Sequence, residues 1–414
     1  MRVIVLGAGV VGLTTAYLLA RDGHRVAVLD GARGAATQTS QANGGQLSYN
    51  YVAPFAGPGV MQKVPGWLLD RDGPLRFRPD FTWSQMRWLL QFLRACNAPV
   101  AARTTHALLR LAHLSRAGLH ELVEREAIDF AFARSGKLVV HSDGSSMDGA
   151  RRQMASQAAM GSVQHALTAA ECVALEPSLA NIAPRLVGGI HTPGEDAGDC
   201  HLFCLGLERL LRSSNFDVAF HYSTPVTQLL TAGGRVVGAA TPAGVHEADA
   251  FVLALGNGAR ALASPLGLDL PIQPLKGYSL TLPITGTAPS ISITDAAAKV
   301  VYARLGTDLR VAGMADVVGN DAGFDNRRLD TLLRQARGVF PDAADWTVLR
   351  PWTGLRPSTP TGLPMLGPSA RWPNLHLNLG QGSLGFTLAM GSAAVVTELL
   401  GGRPAPIEMD GLRA

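Results

Sequence analysis

Charge is scarce in this chain. Only 16% of its 414 residues are Asp, Glu, Lys or Arg, and 6% are aromatic. The net charge of +4 comes from Lys and Arg that are scattered along the sequence, so the dense positive stripe that a phosphate backbone requires is missing and nucleic acid is not expected as a partner. Cysteine is scarcer still. Cys96, Cys172, Cys200 and Cys204 form no CxxC pair, which argues against a disulfide framework or a metal site and for reduced thiols in a reducing compartment. Long apolar runs are nearly absent as well. Val3 to Ala20 tempts a membrane-span or signal-peptide reading, but glycines at 7, 9 and 12 break it at strand-to-helix spacing, and no other stretch approaches the length a bilayer demands. Internal repeats and low-complexity tracts are missing too.

What is present describes a folding chain: hydrophobic residues make up 47% and mean hydropathy is +0.15, with 46 glycines available for tight turns and close backbone approaches. At 414 residues the sequence exceeds the usual single-core size, so two interleaved domains are expected.

Arg2 to Leu6 reads as a buried parallel strand, followed at once by Gly7-Ala8-Gly9-Val10-Val11-Gly12 and a helical pattern through Arg21. Gly7 permits the tight turn, Gly9 lets backbone approach a pyrophosphate and Gly12 allows close helix packing, while the helix N-terminus offers free N–H donors. His24 to Leu29 is a second strand, and Asp30 at its end stands where a carboxylate accepts from ribose hydroxyls. A lone GxGxxG is weak, but strand, motif, helix, strand and acid in order within thirty residues point to a dinucleotide. These residues do not separate NAD from FAD, and Arg33 raises a minor NADP reading.

Thr37 to Gln46 is too polar and glycine-rich for an element interior. Such a loop supplies the many donors that the carbonyls and nitrogens of a flavin edge need, although composition alone describes a solvated loop equally well. At the other end, Leu375 to Leu379 reads as a strand, Gly380 to Gly382 as a turn and Ser383 to Leu400 as a helix stopped by Gly401-Gly402. A second helix N-terminus is thus available to stabilise the negative charge that hydride places near flavin N1 and its C2 carbonyl.

The chain resembles the D-amino-acid oxidase superfamily, and within it the bacterial D-amino acid dehydrogenases, over nearly its whole length. The resemblance rests on GAGVVG at 7–12 with Asp30, TSQANGGQ at 39–46, GDCHLF at 198–203, ALG at 254–256, LKGYSLT at 275–281, WTGLRPSTPTGLPMLG at 352–367 and GQGSLGFTLAMGSA at 380–393. It implies that FAD is the cofactor, held by Gly7, Gly9, Val10, Val11, Gly12 and Asp30, by Ser40, Asn43, Gly45 and Gln46 beside the ring, by Val226 at the adenine end and by Gly256 beneath the dinucleotide. Gly382, Ser383, Leu384 and Gly385 are assigned by the same resemblance to the ring's C2 side. Attachment is expected to be non-covalent, since relatives that attach flavin through a C-terminal-half cysteine have no counterpart here: no cysteine follows Cys204.

Oxidising an α-amino acid needs a cation for its carboxylate, and Arg356 lies in a Gly- and Pro-flanked turn that fixes a guanidinium. The resemblance selects it over Arg304, Arg310 and Arg350. Tyr278, in the alternating strand Ile272 to Leu282, places its hydroxyl either in the same pocket or on a backbone partner. Lys276 reads as a solvated strand end, and Asp199, flanked by His191 and His201, as a helix N-cap. No acid or base is assigned, because hydride transfer from Cα needs none if the amine binds neutral. The implied reaction is oxidative deamination of a small D-amino acid to a 2-oxo acid and ammonia, with electrons passed to a quinone or other respiratory acceptor. An oxidase that reduces oxygen to peroxide with glycine, sarcosine or a D-amino acid stays open, as do a pyridine-nucleotide dehydrogenase and a non-catalytic nucleotide-binding protein.

The expected fold class is α/β, a Rossmann-like FAD-binding domain interleaved with a smaller α+β substrate domain on an antiparallel sheet. The division expected is 1–48, 150–260 and 350–414 for the FAD-binding domain and 49–149 and 261–349 for the substrate domain. Residues 49–96 hold Trp67, Trp83 and Trp88. Trp83, Met86, Leu90 and Leu93 follow helical spacing while Arg87, Gln91 and Arg94 share a narrow polar face. An interfacial membrane helix looks like this, and so does the commoner case of a helix covering the pocket. The expected location is the cytoplasm, with a peripheral contact on the inner membrane left open.

Overall fold

The computed structural model describes residues 1–69, 73–213 and 216–413; within them the side chain of Trp67 lies outside the described set. The apolar runs Arg2–Leu6 and Arg25–Leu29 pair in parallel, Leu6 beside Leu29. Ala250–Leu253 flanks the first of them and Val218–His221 the second, both in parallel. Leu375–Leu379 and the antiparallel Met365–Pro368 complete a six-stranded sheet.

Alternation along these strands divides the core in two. Val3, Val5, Val26, Val28 and Val252 face a helical layer, where Leu13 and Tyr17 of Val10–Arg21 meet Leu388 and Val396 of Gly385–Leu400. Ile4, Leu6, Leu29, Phe251 and Leu253 face the opposite way, against Leu229, Val236 and Leu262. Both faces are covered, which is why Val3–Leu6, Val26–Leu29 and Ala250–Leu253 are apolar on both faces, whereas Leu375–Leu379 alternates with His376 and Asn378. The covering layer includes a three-stranded meander, Gln228–Ala232, Arg235–Thr241 and Gly244–Glu247, whose first turn uses the left-handed glycines Gly233 and Gly234. Val226 lies just before that meander, outside any strand, and not within one as its sequence context suggests.

A second, nine-stranded sheet is mostly antiparallel. Gln273–Pro283 runs between Asp308–Val317 and Arg350–Ser358, and the sheet continues through Val300–Leu305, Ser292–Asp295, Lys137–His141, Gly188–Thr192 and His165–Leu167. The helix Asn326–Val339 closes its far side through Leu332, Ala336 and Val339. The architecture is the α/β class expected, with one sheet mostly parallel and the other mostly antiparallel.

Several segments sit elsewhere than the expected division places them. Helix Ala98–Arg125 packs in the core of the six-stranded sheet, approaching Gly385–Leu400 so closely that a Cβ on Gly391 would lie 2.5 Å from the Leu111 carbonyl oxygen. Conversely, His165–Leu167, Gly188–Thr192 and Arg350–Ser358 belong to the nine-stranded sheet. Apolar spacing shows that a face is buried; strand pairing across more than a hundred residues decides against what.

Helix Trp83–Ala95 buries one of its two apolar stripes. Its buried side is Gln85, Trp88, Phe92 and Ala95, because Trp88 stacks on Phe92 at 5.2 Å and donates its indole N–H to the Ser358 carbonyl at 2.9 Å. Trp83, Met86, Leu90 and Leu93, which follow the helical repeat equally well, face outward at 81%, 48%, 48% and 45% exposure. One helix among the described residues, Gly382–Leu400, is long and apolar enough to cross a membrane by length and composition, and 67% of that window is buried inside the protein.

Candidate functional site

The turn after the first strand is built so that only glycine fits. Gly7 takes φ +112°, and a Cβ there would stand 2.6 Å from the Ala254 carbonyl oxygen; on Gly12 it would stand 1.9 Å from the carbonyl oxygen of Gly7. Gly9, by contrast, has open space apart from Ser40 Oγ at 3.4 Å. The turn is therefore compressed on its protein side and open on the side where a diphosphate approaches. Asp30 holds this shape: one carboxylate oxygen accepts from Ala8 N–H at 2.7 Å and the other from Ala32 N–H at 2.8 Å. Its carboxylate is thus already engaged by backbone, with only the remaining lone pairs left for a ribose. Ser40 Oγ accepts from Val10 N–H at 3.1 Å, so the loop of residues 39–46 reaches the helix N-terminus directly.

From there a cavity of about 380 Å³ runs between the two sheets, within the range of ligand pockets. Its wall includes Val10, Ser40, Asn43, Gly45 and Gln46, then Gly382, Ser383, Leu384 and Gly385, and on the far side Tyr278 and Arg356. Gly7, Gly9, Val11, Gly12, Asp30, Val226 and Gly256 lie outside that wall, the first five in and around the glycine turn. Gly256, at φ +53°, lies against Pro357, and Val226 packs beneath the six-stranded sheet.

The polar loop is pinned from below by the second sheet. Gln46 donates to the carbonyls of Ile293 and Tyr302 at 2.9 and 3.0 Å and accepts from Thr294 Oγ1 at 3.3 Å, so its amide fixes the loop. Asn43 Oδ1 accepts from Gly45 N–H at 3.0 Å, which sets Gly45 at φ +69°. What these two present to the cavity is therefore chiefly backbone. The C-terminal turn opens with Gly382 at φ +56°; residues Gly382–Leu384 form a 3₁₀ turn before the α-helix proper at Gly385.

On the substrate side, half-buried Arg356 sits opposite Leu275 on the neighbouring strand. Its Nη1 donates to the Met314 carbonyl at 2.8 Å, and its guanidinium occupies the space a side chain at Gly277 would fill, with a Cβ there 2.2 Å from Nη2. Burial lowers its pKa, opposed by the charge of Asp316. Tyr278, 1% exposed, donates its hydroxyl to Asp316 Oδ2 at 3.0 Å. Asp316 in turn pairs with Arg328 at 2.5 Å and Arg76 at 3.3 Å. Burial and the Asp316 charge both push the Tyr278 pKa up, so it stays a neutral phenol. Lys276 is buried, not solvated as a strand end suggests, and its ammonium donates to the Gly323 carbonyl.

Other contributors were not singled out by sequence. Arg310, weighed only as an alternative to Arg356, donates to Asn43 O at 2.6 Å and pairs with Asp199 at 3.1 Å. Asp199 caps its helix as expected, accepting from His201 and Leu202 N–H at 2.8 and 3.1 Å. Lys137 lines the cavity beside Ser48 and Tyr51. Nothing in the local pattern marks it, since a lysine heading a strand reads as exposed. Among the described residues no three His, Cys, Asp or Glu side chains gather as a metal set.

A glycine turn, a polar loop and a C-terminal helix start converge on one cleft, and the sequence pattern that builds them matches the family model for FAD dependent oxidoreductases over residues 2–399. The chain belongs to that family. It is 47% identical to D-amino acid dehydrogenase 2 of Ralstonia nicotianae over 418 residues, which cover 97% of each chain. It is also 47% identical to D-amino acid dehydrogenase 2 of Pseudomonas aeruginosa, over 99% of this chain and 97% of that one. Among solved structures, glycine oxidase from Geobacillus kaustophilus superposes with a TM-score of 0.78 at 21% identity, covering 100% and 98% of the two chains. L-proline dehydrogenase from P. horikoshii gives 0.76 at 17% identity, covering 98% and 95%. These superpositions establish the fold.

FAD fits the residues present in this family member. The glycine turn is open at Gly9 where a diphosphate would approach, and the cavity wall adjoins it at Val10 and runs past the 39–46 loop to Arg356. When bound, the flavin supplies the two-electron acceptor.

Proposed function

We propose that this FAD-dependent oxidoreductase deaminates small D-amino acids to 2-oxo acids and ammonia and passes the electrons to a quinone or other respiratory acceptor. The observation that carries this reading is the cavity wall, where Arg356 and Tyr278 face the same space as the 39–46 loop and the 382–385 turn. Relatives named D-amino acid dehydrogenase over the full chain support the substrate class.

Arg356, anchored through Nη1, turns its other edge to the substrate carboxylate, and a guanidinium fixed in this way loses little freedom on binding. Tyr278 has committed its proton to Asp316, so its oxygen faces a substrate amine as an acceptor. That amine binds as the free base after giving its proton to solvent. The Cα–H bond then breaks with its electron pair, the nitrogen lone pair forms the C=N bond, and water hydrolyses the imino acid to the keto acid and ammonia. The walls of the narrow cleft orient Cα, and orientation is the protein's main contribution to such a step.

We place the enzyme in the cytoplasm in peripheral contact with the inner membrane. The outward face of Trp83–Ala95, which combines Trp83, Met86, Leu90 and Leu93 with Arg94, supports that contact.

Anaerobic mixing of the holoenzyme with D- and L-amino acid panels tests the reading: bleaching of the flavin band by D-amino acids alone is expected. Bleaching by L-amino acids only, or by none, overturns it. Turnover with a quinone analogue and little peroxide in air-saturated buffer is expected, whereas peroxide in proportion to substrate assigns an oxidase.

A further inference from the structure

Lys137 heads the strand Lys137–His141 and is 3% exposed, yet it belongs to the wall of the cofactor cavity. Its ammonium donates to Ser48 Oγ at 2.8 Å and lies 4.3 Å from the centre of the Tyr51 ring. Ser48 follows the polar loop directly, and its backbone N–H donates to Thr387 Oγ1 in the first turn of the C-terminal helix at 3.1 Å. One cation is thereby coupled to both glycine-rich turns of the flavin site.

Its charge is poorly compensated by protein. Among the described residues no carboxylate stands within ion-pair distance of Lys137. The carboxylate that acts on it is Glu195, whose oxygens accept from Tyr49 N–H, from Asn50 N–H at 2.8 Å and from Asn50 Nδ2 at 2.9 Å. The groups its ammonium touches, Ser48 and Tyr51, are neutral, and Arg356 and Lys299 are the other cations in the same wall. Burial pushes the Lys137 pKa down to about 8, and Glu195 partly restores it. A buried ammonium is costly unless an anion accompanies it, and the cavity is where that anion arrives. Hydride reduction adds one net negative charge to an isoalloxazine ring, and a fixed cation in a low-dielectric site stabilises developing charge strongly.

We propose that Lys137 is the cation that sets the reduction potential of the bound flavin, holding its charge against the negative charge that the ring acquires on reduction. It acts through the field in the cavity and through Ser48, as a positioning residue. The inference rests on the family's flavin occupying this cavity and not on the choice of amino acid, so its test uses no substrate.

Sulfite adds to oxidised flavin and leaves a negatively charged ring, so its affinity reports the same field. In the holoenzyme, Lys137→Met is expected to bind sulfite about ten-fold more weakly, matching a potential lower by about 30 mV for a two-electron couple. Lys137→Arg is expected to stay within about three-fold of the parent, since its charge persists. Unchanged sulfite affinity and unchanged dye-equilibrated potential in Lys137→Met overturn the proposal. If Lys137→Met does not retain FAD, the parent and Lys137→Arg carry the test. The parent's potential, followed with pH, bends where Lys137 loses its proton, and the arginine variant, whose charge persists, shows no such bend. Coincident curves overturn the proposal.

Discussion

Arg310, on the nine-stranded sheet, pairs with Asp199 at the start of helix Cys200–Ser213 at 3.1 Å, with the two side chains 5% and 15% exposed. The same guanidinium donates to Thr281 Oγ1 at 2.7 Å and to the Asn43 carbonyl at 2.6 Å. One side chain therefore joins a strand of the antiparallel sheet, the 39–46 loop, and the cap of helix Cys200–Ser213.

Arg310→Met should accordingly weaken both fold and cofactor retention. Leaving the partly buried Asp199 with only its helix-cap hydrogen bonds costs about 1–3 kcal/mol. Thermal unfolding with and without added FAD reads the first effect and fluorescence of released FAD the second. Combining it with Asp199→Asn should recover part of the loss, as expected for coupled neighbours; strictly additive losses would show that the pair is not coupled.

Arg356→Ala should leave FAD stoichiometry unchanged while raising KM for carboxylated substrates about 100-fold, the worth of a charge-assisted bidentate contact. Arg356→Lys should recover only part of this, because an ammonium cannot form the planar fork. Steady-state kinetics on holoenzyme decide it, and unaltered KM removes Arg356 from the substrate site.

The glycine turn offers a contrast within four residues. Gly12→Ala brings a Cβ to 1.9 Å from the Gly7 carbonyl oxygen, so the turn cannot form and soluble flavoprotein is not expected. In Gly9→Ala the added carbon meets only Ser40 Oγ at 3.4 Å, and φ of −78° suits alanine. That variant should fold as apoprotein but bind FAD at least about ten-fold more weakly, the methyl standing where the diphosphate approaches. Circular dichroism and FAD titration separate the two outcomes.

His376 gives a pH prediction. It is 5% exposed, and burial pushes its pKa down from 6.5 to about 4. Between those values the unfolded chain binds more protons than the folded one, so stability rises with pH there and is lost as pH falls from 6.5 towards 4. Full protonation would cost on the order of 3 kcal/mol. Melting temperatures of the parent and His376→Gln across this window check it: the glutamine variant should show the shallower slope, and equal slopes would sink the assignment to His376.

What can be read along the chain is what is local. The strand, glycine turn, helix and second strand of residues 2–29 are legible because each signal lies within a few residues of the backbone it shapes, and the same holds for the Asp199 cap. The outward face of Trp83–Ala95 was not legible, since two apolar stripes share one helical repeat and only the Trp88 contact with the Ser358 carbonyl, 270 residues away, selects which is buried. Which sheet each segment joins was not legible for the same reason.

By itself, then, the sequence determined the dinucleotide turn, the element types and the family, because backbone geometry and spacing are short-range properties. Only the tertiary structure decided that Arg310 bonds to a loop residue 267 positions away and that Lys137 meets Ser48 across 89. A side chain's burial, charge and partner depend on which distant strand lies beside it, and that is set by the packing of the whole chain.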